Sequence, residues 1–219
     1  MTKNHGANNT PEQMLSRAYA LRGNDPDETL KLYADWAETY DQTMLDGLAY
    51  LSPQQIAALA AMTEPRRDVR VLDVGCGTGL LANAMRARGF NQIDGLDCSA
   101  PMLAVAQREG RINGAYLRDL NEKLEMSTEC YDLLVSTGTF THGHVGAGCL
   151  PELLTLLVPQ GRLICTVHRD VWEQGGFGTG LQKLCEAGVA AVRSREADRL
   201  FAADDKPSGW YVVVEKLSD

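Results

Sequence analysis

The chain has no excess of positive charge, since 21 Lys and Arg residues stand against 29 Asp and Glu residues and give a formal net charge of −8. Nucleic-acid binding depends mostly on clustered basic side chains, so this balance argues against a nucleic-acid partner. No apolar run reaches the roughly 18 residues that a membrane span needs, and residues 1–10 lack the apolar segment of a signal peptide. We therefore expect a cytoplasmic protein that has no membrane partner. We expect its substrate to be a small molecule.

Cysteines at metal-binding or redox spacing are also absent. The six cysteines are scattered, and no two of them form a Cys-x-x-Cys pair. A zinc site or a disulfide framework is therefore not expected. With 44% hydrophobic and 23% charged residues, the composition is that of an ordinary globular protein, and 219 residues suit one compact domain.

Helix-start patterns are frequent near the N-terminus. Thr10, Asp25 and Ser52 are each followed by proline and then, three residues after the cap, by Glu or Gln, which is the pattern of a capping box. Apolar residues at helical spacing predict one continuous second helix: Leu30, Tyr33, Ala37, Tyr40 and Met44. We expect residues 1–65 to form a helical cap on a core made by residues 66–219.

Beyond the cap, short β-branched runs alternate with helical segments. Strands are predicted at residues 69–74, 92–98, 115–117, 131–136, 162–168, 190–200 and 210–214. This alternation predicts a doubly wound, Rossmann-like α/β fold with a mostly parallel seven-stranded sheet and an N-terminal helical lid. The glycine-rich residues 175–180 are predicted to form a loop.

A second glycine-rich segment, residues 75–79, follows the first predicted strand. In a doubly wound sheet, ligands bind beyond the carboxyl ends of the strands, and this turn lies there. Glycine lets the backbone approach a ligand closely, and the amides at the next helix start favour an anionic group. Asp97 ends the second strand near the spacing of roughly 20 residues expected of a carboxylate that binds ribose hydroxyls. A nucleoside-containing ligand is therefore expected.

Two other nucleotide-binding loops do not fit the residues after these glycines. A P-loop ends in Gly-Lys-Ser/Thr, whereas Gly79 is followed by Leu80 and Leu81. The dinucleotide fingerprint has its third glycine at the position of Leu80. Triphosphate hydrolysis and an NAD-dependent oxidoreductase are both disfavoured.

Residues 71–79 read Val-Leu-Asp-Val-Gly-Cys-Gly-Thr-Gly, which resembles the first motif of class I S-adenosylmethionine-dependent methyltransferases. Three further segments resemble the motifs that follow it: residues 96–103, 118–120 and 159–161. The resemblance covers roughly residues 33–216. Residues 33–41 and 136–146 are similar to a subfamily named for the Williams-Beuren syndrome chromosomal region.

The resemblance implies S-adenosylmethionine as the cofactor. It implies that Asp97 binds the ribose hydroxyls, that Asp119 binds the adenine amino group, and that Met102 and the backbone of Leu120 contact the adenine ring. The remaining residues expected around the cofactor are Asp73, Gly75, Gly77, Gly79, Cys98, Ser136, Tyr33 and Tyr40. For Asp73, hydrogen bonding to backbone amides is an equal alternative to binding the cofactor's ammonium group.

Aromatic and histidine side chains supply the candidate catalytic groups. Tyr33, Trp36 and Tyr40 lie near one face of the second predicted helix, where they either pack on the sheet or cover the cofactor. His142 and His144 follow the fourth strand, and either is a candidate general base, as is Tyr33. Two histidines at i, i+2 without a visible third ligand do not predict a metal site.

These observations together predict methyl transfer to a nucleophilic nitrogen, oxygen or sulfur of a small-molecule acceptor. The reaction is an in-line displacement in which a histidine or tyrosine assists deprotonation of the acceptor. The alternative is a non-catalytic S-adenosylmethionine-binding module that acts through protein contacts. The oligomeric state does not follow from the sequence.

Overall fold

A computed structural model describes residues 10–21, 26–142 and 144–218. Its strands are β1 (Arg70–Val74), β2 (Gln92–Asp97), β3 (Ala115–Leu117), β4 (Tyr131–Phe140), β5 (Leu157–His168), β6 (Ala190–Asp198) and β7 (Gly209–Lys216). They form one sheet in the order β3-β2-β1-β4-β5-β7-β6. Neighbours among β1 to β5 are parallel, and β7 is antiparallel to both β5 and β6. The predicted fold class is confirmed.

Helices cover both faces of this sheet. They are α1 (Pro11–Leu21), α2 (Pro26–Trp36), α3 (Tyr40–Gln42), α4 (Ser52–Thr63), α5 (Leu80–Arg86), α6 (Ala100–Arg108), α7 (Leu150–Leu156), α8 (Val171–Gln174) and α9 (Phe177–Glu186). Adjacent residues of β1 point to opposite faces, so Val71 packs in a cluster with Ile56 of α4, and Leu72 packs in a second cluster with Leu153 of α7. Burial on both faces explains why successive residues of β1, from Val71 to Val74, are all buried and show no alternation of buried and exposed positions.

The predicted capping boxes have different outcomes. At the start of α1, the Thr10 amide donates to Gln13 Oε1 at 2.9 Å and the Gln13 amide donates to Thr10 Oγ1 at 3.3 Å, which confirms the first. Asp25 lies outside the described residues. The Ser52 prediction is wrong, because that hydroxyl is buried 3.0 Å from the Tyr211 hydroxyl and does not cap α4.

The prediction of one continuous second helix is also wrong. Helix α2 ends at Trp36, a turn occupies residues 37–39, and a five-residue π-helix, Thr43–Gly47, follows α3. Side chains compete with the helical backbone here: Thr43 Oγ1 donates to the Thr39 carbonyl at 2.9 Å and accepts from Trp36 Nε1 at 3.1 Å. Such local bonds break or bend a helix.

The loop predicted at residues 175–180 is instead mostly helical. Gly176, with φ of 73°, is the N-cap residue directly before α9, and the Phe177 ring packs 5.1 Å from the ring of Phe140 between centroids. A Cβ on Gly180 would lie 3.1 Å from Ala147 Cβ, so the glycine lets α9 pack closely against the segment that contains Ala147. Tertiary packing therefore overrides the low helix propensity of glycine.

The N-terminal helices share their core with the sheet. Ala18, Leu32 and Trp36 are buried in the same cluster as Val71. The division between residues 1–65 and the rest of the chain stays a prediction. Among the residues that the structure describes, no helix is long and apolar enough to cross a membrane.

Candidate active site

The carboxyl ends of β1, β2 and β4 surround a cavity of about 390 Å³. The glycine loop, residues 75–79, forms its floor, and Gly75 and Gly77 have φ of 66° and 53°. A Cβ on Gly75 would collide with the Thr139 side chain. A Cβ on Gly77 would meet no described heavy atom within 4 Å, so the backbone there borders open space. The loop therefore gives a ligand direct access to main chain.

Asp97 connects the glycine loop to the start of α6. Its Oδ2 accepts from the Gly77 amide at 2.8 Å, and its Oδ1 accepts from the Ser99 amide at 2.8 Å. Burial raises the pKa of Asp97, while these backbone bonds act in the opposite direction. The carboxylate is thus fixed in orientation at the wall of the cavity, as expected for a ligand-binding group.

The wall beside β2 and β3 is formed by Cys98, Met102, Asp119 and Leu120. Met102 and Leu120 are buried apolar side chains. Asp119 Oδ1 accepts from the Asn121 amide at 2.8 Å, so this residue both lines the cavity and closes a local turn. Burial raises the pKa of the Cys98 thiol to about 12, which keeps it protonated at neutral pH.

Tyr33 and Tyr40 cover the opposite side of the cavity. Together α2 and α3 form the lid, and the Trp36 ring lies 5.9 Å from Tyr33 and 4.9 Å from Tyr40 between ring centroids. The two tyrosines therefore both pack and line the cavity. Burial raises the pKa of each phenol, so both are neutral at pH 7.

His144 reaches the lid from the loop after β4. Its Nε2 lies 3.2 Å from the Tyr33 hydroxyl, and both side chains border the cavity. Burial lowers the pKa of His144 below the ordinary 6.5, and a hydrogen bond to the Gly138 backbone opposes that shift. The imidazole is therefore uncharged at neutral pH and able to take up a proton.

Four predicted site residues do not line this cavity: Asp73, Gly79, Ser136 and His142. Asp73 is buried and accepts from the Ala82 amide at 3.1 Å, which matches its structural alternative. Gly79 is the N-cap residue directly before α5, and Ser136 Oγ donates to the Val74 carbonyl at 2.7 Å. His142 turns away and packs 4.4 Å from the ring of His168.

Sequence reasoning did not assign several of the lining residues to the site: Thr29, Leu30, Leu96, Ser99, Arg118, Asn121, Thr137, Gly138, Thr139 and Val145. For Ser99, Arg118 and Thr137 a usable signal was their position just after a predicted strand. Ser99 Oγ is buried and has no hydrogen-bond partner among the described residues. It is therefore an unsatisfied polar group at the cavity wall, available to hydrogen-bond a ligand.

Known proteins resemble this chain along most of its length. A family described as a methyltransferase domain matches residues 72–165. The chain is 31% identical over 208 residues to human Methyltransferase-like protein 27, covering 90% of this chain and 84% of that protein. It is 30% identical over 105 residues to the ubiquinone biosynthesis O-methyltransferase of Rickettsia bellii, covering 47% of this chain and 43% of that protein.

A solved structure agrees in fold. The S-adenosylmethionine-dependent methyltransferase from Mesorhizobium loti aligns with a TM-score of 0.56 at 20% identity, covering 73% of this chain and 96% of that one. The narrower Williams-Beuren subfamily stays a prediction. The human relative and the matching domain are both described as methyltransferases. This agrees with the glycine loop and Asp97, whose motifs resemble those of methyltransferases. The chain is therefore an enzyme of the class I S-adenosylmethionine-dependent methyltransferase family, with S-adenosylmethionine as its cofactor.

Proposed function

We propose that the enzyme methylates an oxygen, nitrogen or sulfur atom of a small-molecule acceptor, with His144 as the general base and Tyr33 as its partner. The observation that carries this proposal is the 3.2 Å contact between Tyr33 and His144 at the cavity. A neutral imidazole beside a neutral phenol forms a proton-accepting pair. The cavity volume of about 390 Å³ suits a small ligand.

The residues at the cavity fit the cofactor. The fixed Asp97 carboxylate suits the ribose hydroxyls, and the unpartnered Ser99 hydroxyl offers one more polar contact. Met102 and Leu120 provide an apolar surface for the adenine ring. The open backbone at Gly77 leaves room for the methionine part. When bound, S-adenosylmethionine supplies an electrophilic methyl group on a sulfonium.

The protein's own groups then hold the acceptor and move its proton. Tyr33 and Tyr40 line the cavity, where aromatic rings favour a sulfonium and exclude water. If Tyr33 donates its hydroxyl proton to His144 Nε2, its oxygen accepts the proton that leaves the acceptor. The proton thereby ends on the imidazole, and the acceptor atom gains the electron pair for in-line attack.

Oxygen acceptors are the first to test. The Rickettsia bellii relative is an O-methyltransferase, which supports this order of testing. Neutral phenols and alcohols also gain the most from a base, since an already ionised acceptor needs no deprotonation. The net charge of −8 supports a small-molecule acceptor over nucleic acid.

The experiment has two stages. Isothermal titration calorimetry with S-adenosylmethionine, S-adenosylhomocysteine and NAD is run on the wild type, on Asp97→Ala and on the near-isosteric Asp97→Asn. We expect both adenosyl ligands to bind the wild type, with affinity lost in Asp97→Ala and partly kept in Asp97→Asn. Phenols, amines and thiols are then screened for release of S-adenosylhomocysteine. Cofactor binding without turnover on any class would favour the non-catalytic module.

A further inference from the structure

Two histidines and an aspartate meet at the carboxyl ends of β4 and β5, outside the cavity. His142 follows β4, His168 ends β5, and Asp170 lies two residues further on. The His142 Nε2 atom lies 3.5 Å from Asp170 Oδ2, and His168 Nδ1 lies 3.9 Å from the same oxygen. His168 Nδ1 also accepts from the Asp170 amide at 3.2 Å, a hydrogen bond that a metal ion at this nitrogen would replace. One ligand atom from each residue lies within 4.8 Å of the other two.

These distances suit a shared cation. Zinc lies at roughly 2.0 to 2.2 Å from histidine nitrogen and carboxylate oxygen, so ligands around one tetrahedral ion lie on the order of 3.4 Å apart. The measured separations need only small side-chain movements to reach that arrangement. Asp170 is 71% exposed at its side chain and is free to make such a movement.

The His142 ring is incompletely satisfied by the protein. Its Nδ1 atom is buried and has no hydrogen-bond partner within the described part of the chain. Tyr19 of α1 packs against both imidazoles, at 5.1 Å from His142 and 5.9 Å from His168 between ring centroids. An aromatic neighbour therefore holds the two rings together on one side. His142 Nε2 is the nitrogen nearest to Asp170, while Nδ1 on the other side of the ring lacks a partner.

The local charge also favours a cation. Asp170 contributes one carboxylate, and Asp204 acts electrostatically on both His168 and Tyr19. Asp204 itself accepts from the Leu200 and Phe201 amides. Its carboxylate therefore adds negative electrostatic potential near the cluster but is not counted among the metal ligands. The guanidinium of the neighbouring Arg169 lies 5.3 Å from the centre of the Trp210 ring and donates to the Pro207 carbonyl. These contacts engage its positive charge away from the His142, His168 and Asp170 cluster.

We propose that His142, His168 and Asp170 form a binding site for a divalent transition-metal ion of the zinc class. Two imidazoles and one carboxylate select such ions over Mg²⁺ or Ca²⁺, which prefer all-oxygen ligands. Three protein ligands leave at least one coordination position for water or another oxygen donor. This site does not depend on the proposed acceptor chemistry. The fold pairs His142 with His168 and Asp170, whereas the sequence offered only His144 as its neighbour.

The test uses the full chain without an affinity tag, dialysed against chelator and then titrated with Co²⁺. We expect saturable one-to-one binding at micromolar concentration, seen as ligand-field absorption in the visible region, and displacement of Co²⁺ by Zn²⁺. The melting temperature should rise by roughly 5 °C in saturating Zn²⁺ and stay unchanged in Mg²⁺. His168→Ala should weaken binding by more than about 100-fold, and Asp170→Asn by at least about 10-fold.

His144→Ala is the matched control, because it removes a histidine from the same loop but outside the cluster. It should bind Co²⁺ like the wild type. Since Asp170 is exposed, Asp170→Asn is informative even if His168→Ala fails to fold. The proposal is overturned if no saturable binding occurs, if His144→Ala loses binding while His168→Ala keeps it, or if Asp170→Asn binds as well as the wild type. The last result would place the ion at other groups, such as the exposed thiol of Cys185.

Discussion

The Asp41 carboxylate lies 2.5 Å from Nη1 of the Arg111 guanidinium, although the two residues are 70 positions apart in sequence. Asp41 belongs to α3 in the lid, and Arg111 follows α6. The same carboxylate accepts from the Thr78 hydroxyl at 2.5 Å, and Arg111 donates to the Thr78 carbonyl at 3.0 Å. The lid is therefore connected directly to the glycine loop that forms the cavity floor.

Breaking this connection should affect cofactor binding more than folding. Asp41→Asn removes the charge from a pair whose side chains are only 27% and 16% exposed, at an expected loss of about 1 to 2 kcal/mol in unfolding free energy. Affinity for S-adenosylhomocysteine should fall several-fold, because the lid and loop are no longer held together. Glu38→Gln is the control, since the Glu38–Arg108 pair also joins the lid to α6 but is exposed. Calorimetry that finds equal losses for both variants would contradict this account.

Gly77→Ala should lower cofactor affinity by at least about 10-fold with a small loss of stability. Its φ of 53° costs about 1 kcal/mol with a side chain, and the added methyl lies beside the cavity. Gly110→Ala is the matched control: it has φ of 65° and equally open surroundings but does not line the cavity. Both variants should lose similar stability in chemical denaturation, and only Gly77→Ala should lose binding. Equal affinities would show that the ligand does not approach this glycine.

The pH dependence of turnover should follow His144. Because burial lowers its pKa below 6.5, kcat should be level at neutral pH and fall on the acid side, where the imidazole becomes protonated. His144→Gln should remove that acid limb and reduce kcat by about 10² to 10⁴-fold. Tyr33→Phe should keep the limb with an intermediate loss of kcat, since the ring of the lid remains.

Tyr40→Phe provides the comparison for Tyr33, because it removes a hydroxyl from the same wall that does not contact His144. It should change kcat less than Tyr33→Phe does. The assay is release of S-adenosylhomocysteine at saturating cofactor across the pH range. An acid limb that persists in His144→Gln would assign the titrating group to the acceptor instead.

Asp73 should make the unliganded protein less stable as pH rises. Burial raises the pKa of Asp73 from 3.8 to about 8, so the folded state binds a proton that the unfolded state has released over that interval. Stability should therefore fall between about pH 4 and pH 8, by on the order of 1 kcal/mol per pH unit. Asp73→Asn carries no titrating proton but can still accept from the Ala82 amide. Urea denaturation at pH 5 and pH 8 should show a smaller decrease in unfolding free energy with pH for this variant than for the wild type.

The slope should shrink without vanishing, because burial also raises the pKa of Asp97. Asp97→Asn in the same denaturation series separates the two contributions. An unchanged slope in Asp73→Asn would show that Asp73 stays ionised in the folded protein, which would favour the alternative in which it binds the cofactor's ammonium group.

Local sequence patterns predicted the elements that carry the cofactor site. The β-branched run before the glycines, Asp97 at the end of β2 and the strand at Ala115–Leu117 were each recognisable, because strand periodicity and turn chemistry act over a few residues. The same local rules failed at the break after Trp36 and at α9. In the first, threonine hydroxyls compete with the backbone, and in the second, Phe177 is buried against Phe140.

The sequence by itself determined the doubly wound, mostly parallel seven-stranded sheet, its glycine loop and the carboxylate at the end of β2, since short-range stereochemistry and crossover handedness leave few alternatives. Only the tertiary structure decided which distant side chains meet. It placed Tyr33 beside His144, Asp41 beside Arg111, and His142 with His168 and Asp170. These contacts depend on loop paths and helix breaks set by packing across the whole core, and no local spacing encodes them.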